Sequence, residues 1–357
     1  MSDVGLLNPR DRSARDDPTS TKWELVMLEH QAALRMDSSR PMVQKNPSGH
    51  LTFDGSYLRA KELARDSAVG HGVGHHGEIL QGAFRDGEGQ IHRGLVTLPF
   101  PLFNSVAWTV PKEEHSVEID PPEKTKAQRA VALLLKQFGT PSPGLLVRVR
   151  SNIPIGYGLG SSTADVIAAL TSAATALGIR LSSAELLRLA VRAEQASDGT
   201  MFNSRAVLAA HREGFLIEDF ARPLPPIGLI SINCCPDSPL LTLDFPPARY
   251  EAAEIDHFDD LRRTLRRAIV EADQALLAKV GTESALINQR YLPQPSLLDI
   301  LDIAHANGAL GIQVAHSGRM VGLILPANLD RFDRPVSAIM GGVQELGIVP
   351  MFISRLQ

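Results

Sequence analysis

The run Ile153-Pro154-Ile155-Gly156-Tyr157-Gly158-Leu159-Gly160-Ser161-Ser162-Thr163-Ala164 sets alternating glycines before three consecutive hydroxyls. A strand pattern at Leu145 to Val149 feeds into it, and a helical pattern follows at once. Glycines free the backbone for positive φ. The first amides of a helix have no internal acceptor and sit at the positive end of its dipole, so they form a site suited to a di- or triphosphate. Pro154, Gly156, Gly158, Leu159, Gly160, Ser161, Ser162 and Thr163 are therefore the expected nucleotide-binding residues. The hydroxyls at 161 to 163 can cap amides, bind phosphate oxygens or hold Mg²⁺. The plainer reading is a Gly-Ser turn that merely caps a helix.

Of two other phosphate loops, one is excluded and the other is a weak match. A Walker loop needs a Lys before Ser or Thr, and none stands here. A dinucleotide fingerprint needs Gly-x-Gly-x-x-Gly, whereas Gly158-x-Gly160 continues into serines.

Other polar residues each carry two readings. His71, His75 and His76 have a spacing that zinc could use, but no cysteine or acid in that segment completes a ligand set, which leaves substrate contact or packing. Asp198 precedes a glycine, as in a surface turn. Glu194 ends a helical pattern and reads as a solvated acid. Asp165 lies in the first turn after the glycine loop, where the dipole favours an acid. Arg262, Arg263, Arg266 and Arg267 read as the wet face of a long helix.

The glycine string resembles the signature of the GHMP kinases (galacto-, homoserine, mevalonate and phosphomevalonate kinases), Pro-x-x-x-Gly-Leu-Gly-Ser-Ser followed by small residues. Thr163 stands where that family usually has Ala, Gly or Ser. Residues Ser161 to Asp165 are similar to a narrower branch, the L-threonine kinases of cobalamin side-chain synthesis. Gly77-Glu78-Ile79-Leu80-Gln81-Gly82 is similar to that branch's N-terminal Gly-Glu-Leu-x-Gln-Gly motif, and Val314-Ala315-His316-Ser317-Gly318 resembles its C-terminal glycine motif. His75-His76 replaces the branch's usual Ser-Cys.

The resemblance spans residues 68 to 325 and implies a two-lobed α+β GHMP kinase fold. Its N-terminal lobe would be ribosomal-protein-S5-like and its C-terminal lobe ferredoxin-like, with ATP and Mg²⁺ between them. It implies Asp198 as catalytic base, Ser161, Ser162 and Glu194 around the metal, and Glu78 beside the acceptor, where a carboxylate could meet a substrate ammonium. His76, His316 and Ser317 join Glu78 as expected substrate-binding residues, the last two on a turn folded against the phosphate loop. The acceptor implied is a small-molecule hydroxyl, that of L-threonine or a related hydroxy amino acid. A homoserine or sugar kinase of the same fold would share the motifs, and a non-catalytic nucleotide-binding sensor is the reading from another class.

The elements that must position these residues are less regular. Residues 1–66 read as an extension, with a polar first 20 residues and helical patterns at Trp23 to Met36 and Ser56 to Arg65 around a turn-rich Pro41 to Asp54. Packing on the kinase body or pairing with a second subunit, a homodimer, would employ it. From Ser67 to Thr109, glycines divide short apolar runs, which predicts short strands and tight turns. Helices are expected at Lys124 to Phe138, Thr163 to Leu177, after a capping box of Ser182 and Glu185, at Ile255 to Val280, and at Ser296 to Ala306. Strands are expected at Ile227 to Asn233, Gly311 to Ala315 and Met320 to Leu325. The irregular mixture gives α+β, divided at 67–222 for the nucleotide-binding domain and 223–357 for the C-terminal domain.

Composition removes other classes. A net charge of −4 offers no basic field for nucleic acid or a membrane surface. No stretch approaches the ~20 apolar residues of a membrane span. Cys234 and Cys235 are adjacent, a spacing that strains a mutual bridge and fits a reducing, cytoplasmic setting.

Overall fold

The computed structural model describes residues 43–45, 51–53, 68–138, 144–202, 204–234, 248–315, 320–329, 333–348 and 350–356. The helical patterns expected at Trp23 to Met36 and Ser56 to Arg65, and the turn at His316 and Ser317, lie outside these residues. Strands β1 (Val43–Lys45) and β2 (Leu51–Phe53) pair antiparallel within the stretch read as turns.

Two long strands, β3 (Ala68–Arg85) and β4 (Ile91–Lys112), replace the short ones expected there. The reason is the job of the glycines. A Cβ on Gly72 would stand 1.9 Å from the carbonyl oxygen of Ala164, and one on Gly70 2.2 Å from that of Ala168. These glycines do not break the strand; they flatten it so that helix α2 (Ser161–Ala176) can lie against its backbone. The turn falls later, where Asp86 Oδ1 accepts from the amides of Glu88 (2.9 Å) and Gln90 (2.8 Å).

After β5 (Val117–Asp120), helix α1 (Thr125–Phe138) buries Ala127, Ala130, Val131 and Leu134. Strand β6 (Gly144–Ser151) then runs into the glycine loop. Helix α3 (Ser183–Glu194) opens with the expected box, in which Ser182 accepts from the Glu185 amide and Glu185 accepts from that of Ser182. Strands β7 (Val207–Ala210) and β8 (Phe215–Asp219) form a hairpin, and β9 (Ile227–Asn233) is buried throughout.

The single long helix expected at Ile255 to Val280 is two, α4 (Ala252–Glu271) and α5 (Gln274–Asn288). Ala272 turns left-handed (φ 53°), and the Asp273 carboxylate caps a new start by accepting from the amides of Ala275 and Leu276. The arginine face is only partly wet: Arg262 and Arg266 both donate to Glu218, the latter at 2.7 Å. Helix α6 (Leu297–Ala306), strands β10 (Gly311–Val314) and β11 (Met320–Leu325), helix α7 (Arg334–Glu345) and strand β12 (Pro350–Leu356) complete the chain.

The main sheet runs β12-β9-β11-β10-β3-β4-β6-β5, with the β7–β8 hairpin joined to β4. Its pairs are antiparallel except β5 with β6. Two cores flank it. One gathers Val131, Leu134, Val147, Ile167, Leu170 and Leu189, the other Ile230, Ile232, Ile300, Ile312, Leu323 and Ile339. The two stretches of sheet meet at the register pair Val314 and Glu78. The first and third sequence motifs therefore touch: a Cβ on Gly77 would lie 2.6 Å from Cα of Ala315.

Candidate active site

The loop before α2 has the backbone that its glycines permit. Gly156, Gly158 and Gly160 all take positive φ (85°, 75° and 75°). Gly160 is the N-cap and offers no side chain, and the helix makes its first backbone bond from the amide of Ala164 to the carbonyl of Gly160 (2.9 Å). The amides of Ser161, Ser162 and Thr163 precede that bond and face outward. Leu159 anchors the loop at 1 % exposure, and burying a leucine contributes about 2 kcal/mol. Ile155 at the loop's crown is 76 % exposed, so the arch stands open.

Glu194, the last residue of α3, reaches the start of α2. It accepts from Ser162 Oγ (2.7 Å) and Thr163 Oγ1 (2.8 Å). Burial pushes its pKa up to about 7; the two hydroxyls and Lys126 work against this, and Asp198 adds to it. Two hydroxyls and a carboxylate are hard oxygen donors of the kind Mg²⁺ takes, and a bound cation would hold Glu194 ionised against the upward pull of burial. Thr163, the departure from the family pattern, takes part through its hydroxyl. Ser161 opens the helix next to this cluster.

Asp198 lies beyond α3, which ends on left-handed Gln195 (φ 71°). The backbone is held on either side, the Ser197 amide donating to His211 O (2.9 Å) and the Gly199 amide to Thr97 Oγ1 (3.0 Å). The Asp198 carboxylate is 14 % exposed and meets Nε2 of His75 at 2.9 Å. Glu78 Oε1 lies 3.8 Å from the other ring nitrogen, Nδ1. Sequence reasoning left His75 between substrate contact and packing and did not pair it with Asp198, because bulges in β3 around 73–80 set where its ring points. The replacement of the usual Ser-Cys by His75-His76 was the available signal.

Two influences on His75 oppose each other. The Gly77 amide donates to Nδ1 (2.9 Å), which suits a neutral ring with its proton on Nε2. Burial also disfavours charge, yet the carboxylates of Asp198 and Glu78 outweigh it and hold the pKa up to about 9. Charging the ring would cost the Gly77 contact, because a protonated Nδ1 cannot accept a hydrogen bond. One ligand atom each from His75, Glu78 and Asp198 lies within 4.8 Å of the others, so the structure brings together the acids that the histidine segment alone did not supply.

His76 does not line the site. It is 0 % exposed, bonded through Nδ1 to Gln313 and set edge-on against Phe100, and burial drives its pKa down to about 3. Packing, the alternative weighed for it, is what the structure shows. Asp165 is likewise structural: Ser105 donates to one oxygen and Lys124 Nζ lies 2.5 Å from the other. Gly199, beside Asp198, lines a cavity of about 250 Å³ together with Val73, Thr97, Leu98, Phe202 and Val207.

The fold and the comparisons with known proteins place the chain among phosphotransferases. The description "GHMP kinases N terminal domain" matches residues 125–208. The chain is 28 % identical over 301 residues to the L-threonine kinase of Salmonella typhimurium, covering 81 % of this chain and 91 % of that one. It is 30 % identical over 239 residues to a 4-diphosphocytidyl-2-C-methyl-D-erythritol kinase of Symbiobacterium thermophilum, covering 65 % and 81 %. The homoserine kinase structure from Cytophaga hutchinsonii shares the fold, with a TM-score of 0.62 at 15 % identity over 82 % of this chain and 95 % of that one. The chain belongs to the GHMP kinase family, and it is an ATP-dependent kinase acting on a small-molecule hydroxyl. Among the described residues no helix is long and apolar enough to cross a membrane.

Proposed function

We propose that this chain transfers the γ-phosphoryl group of ATP to the side-chain hydroxyl of L-threonine or a closely related hydroxy amino acid. The observation that carries the reading is the bridge made by one imidazole. His75 meets Asp198 at 2.9 Å and packs on Gly160, so a carboxylate stands one ring away from the amides that start α2. Phosphoryl transfer needs that juxtaposition: donors for the phosphates and a group to orient or accept the acceptor's proton.

The amides of Ser161, Ser162 and Thr163 hold phosphate oxygens, with Pro154, Gly156, Gly158 and Leu159 shaping the arch. Ser161, Ser162 and Glu194 would hold Mg²⁺, which supplies charge neutralisation between the phosphates when bound. Asp198 takes or orients the hydroxyl proton. Glu78, the expected partner of the acceptor's ammonium group, lies on the seam of the sheet with its side chain 1 % exposed and set against His75.

The substrate reading is supported by the extent of the likeness to the Salmonella L-threonine kinase, which covers 81 % of this chain and 91 % of that one. ADP release in the presence of L-threonine, homoserine, mevalonate and simple sugars tests it. Release dependent on L-threonine is expected, and Asp198→Ala should lower that turnover by about 10²-fold or more while nucleotide affinity stays nearly unchanged. Turnover with homoserine alone would move the acceptor assignment within the family, and equal turnover in Asp198→Ala would remove Asp198 as base.

A further inference from the structure

We propose that His75 is the positioning residue of the Asp198 carboxylate, tying the base to the start of the phosphate-binding helix. This rests on the reading of Asp198 as the base.

The ring is fixed on every side. Its residue is 1 % exposed, its main-chain amide donates to Leu159 O (3.1 Å), and the Gly77 amide holds Nδ1 (2.9 Å). Its Cδ2 edge fills the space over Gly160. Only Nε2 is left to act, and it faces Asp198 at 2.9 Å. Asp198 itself belongs to a short irregular segment whose backbone is pinned at Ser197 and Gly199. The backbone contacts set where the residue sits, and His75 sets where the carboxylate points. Because the same ring contacts the glycine loop, base and phosphates keep a fixed separation, and small misplacements of reacting groups are costly.

The charged groups around the ring are Asp198 at Nε2, Glu78 at Nδ1 and Glu194 beyond Asp198, with the neighbouring His76 held neutral. With Nδ1 accepting from Gly77, the ring proton sits on Nε2, towards Asp198.

His75→Phe keeps a ring over Gly160 and removes the donor; His75→Gln keeps an N–H. ADP release with ATP and L-threonine, or whichever acceptor the panel above selects, is measured from pH 5 to 9, with ATP affinity and melting temperature recorded alongside. For His75→Phe we expect kcat to fall by about 10- to 100-fold, with KM for ATP within about twofold. His75→Gln should recover part of kcat. Wild-type kcat in folded His75→Phe, or in His75→Gln should the former not fold, overturns the inference. Asp198→Asn separates the two claims: activity in that variant refutes Asp198 as base, whereas an inactive Asp198→Asn with unaffected His75 variants refutes only the positioning role.

Discussion

The imidazole of His75 occupies the space that any side chain at position 160 would need. A Cβ on Gly160 would stand 2.2 Å from Cδ2 of the ring, and the backbone there is left-handed with φ 75°. The N-cap of α2 and the partner of the proposed base are thus one packing unit.

Gly160→Ala should therefore harm both stability and turnover. The left-handed backbone alone costs about 1–3 kcal/mol with a side chain, and the ring must also move. A lowered melting temperature together with a kcat loss larger than the loss of ATP affinity is the expected pattern, measured by thermal melts and steady-state kinetics. Gly178→Ala is the control, since it also has positive φ (67°) but nothing within 4 Å of its Cβ position.

Glu194 and Ser162 should control the metal requirement. Replacing Glu194 by Gln keeps a partner for the hydroxyls and removes the charge. The Mg²⁺ concentration giving half-maximal turnover should rise by about tenfold or more in Glu194→Gln, and less in Ser162→Ala. Mg²⁺ titrations that overlay wild type for both would exclude this cluster from metal binding.

Asp165 should behave as a structural acid. Lys124→Met leaves its buried carboxylate without the cation and should lower stability by about 3 kcal/mol, read from denaturant unfolding. Lys124→Met with Asp165→Asn should recover part of that loss. Protein that remains folded should keep its Mg²⁺ dependence, which separates Asp165 from Glu194.

Stability should vary with pH in a direction set by the histidine pair. His76 has its pKa pushed down to about 3, so between that value and 6.5 the unfolded chain binds more protons and stability falls as pH drops. His75 is held up to about 9, so its contribution is full below 6.5 and is lost as pH rises through 9. Glu194, pushed up to about 7, adds a further loss as pH rises from 4.5 to 7. Melts across pH 4 to 10 should show the alkaline loss flattened in His75→Gln and the acid loss flattened in His76→Gln.

The glycine loop was legible because local chain chemistry builds it: a strand, glycines at positions needing positive φ, and a helix that starts on Ser161, two residues earlier than its apolar pattern suggested. The capping box of α3 and strand β9 were legible for the same reason. His75 was not, because bulges in β3 decide which of two adjacent histidines faces Asp198 and which faces Gln313. The glycines at 70 and 72 misled for a related reason: their use is contact with a helix about a hundred residues away, which spacing along the strand does not reveal. The break at Ala272 was hidden by an apolar stripe that continues through it, while Asp273 carried the only local sign.

Hydrogen exchange at the backbone of Ser161, Ser162 and Thr163, with and without ATP and Mg²⁺, tests the central claim most directly. Slowed exchange at these amides that requires both ATP and Mg²⁺ is the predicted result. ATP that binds while leaving them unprotected, or that does not bind at all, would contradict the account.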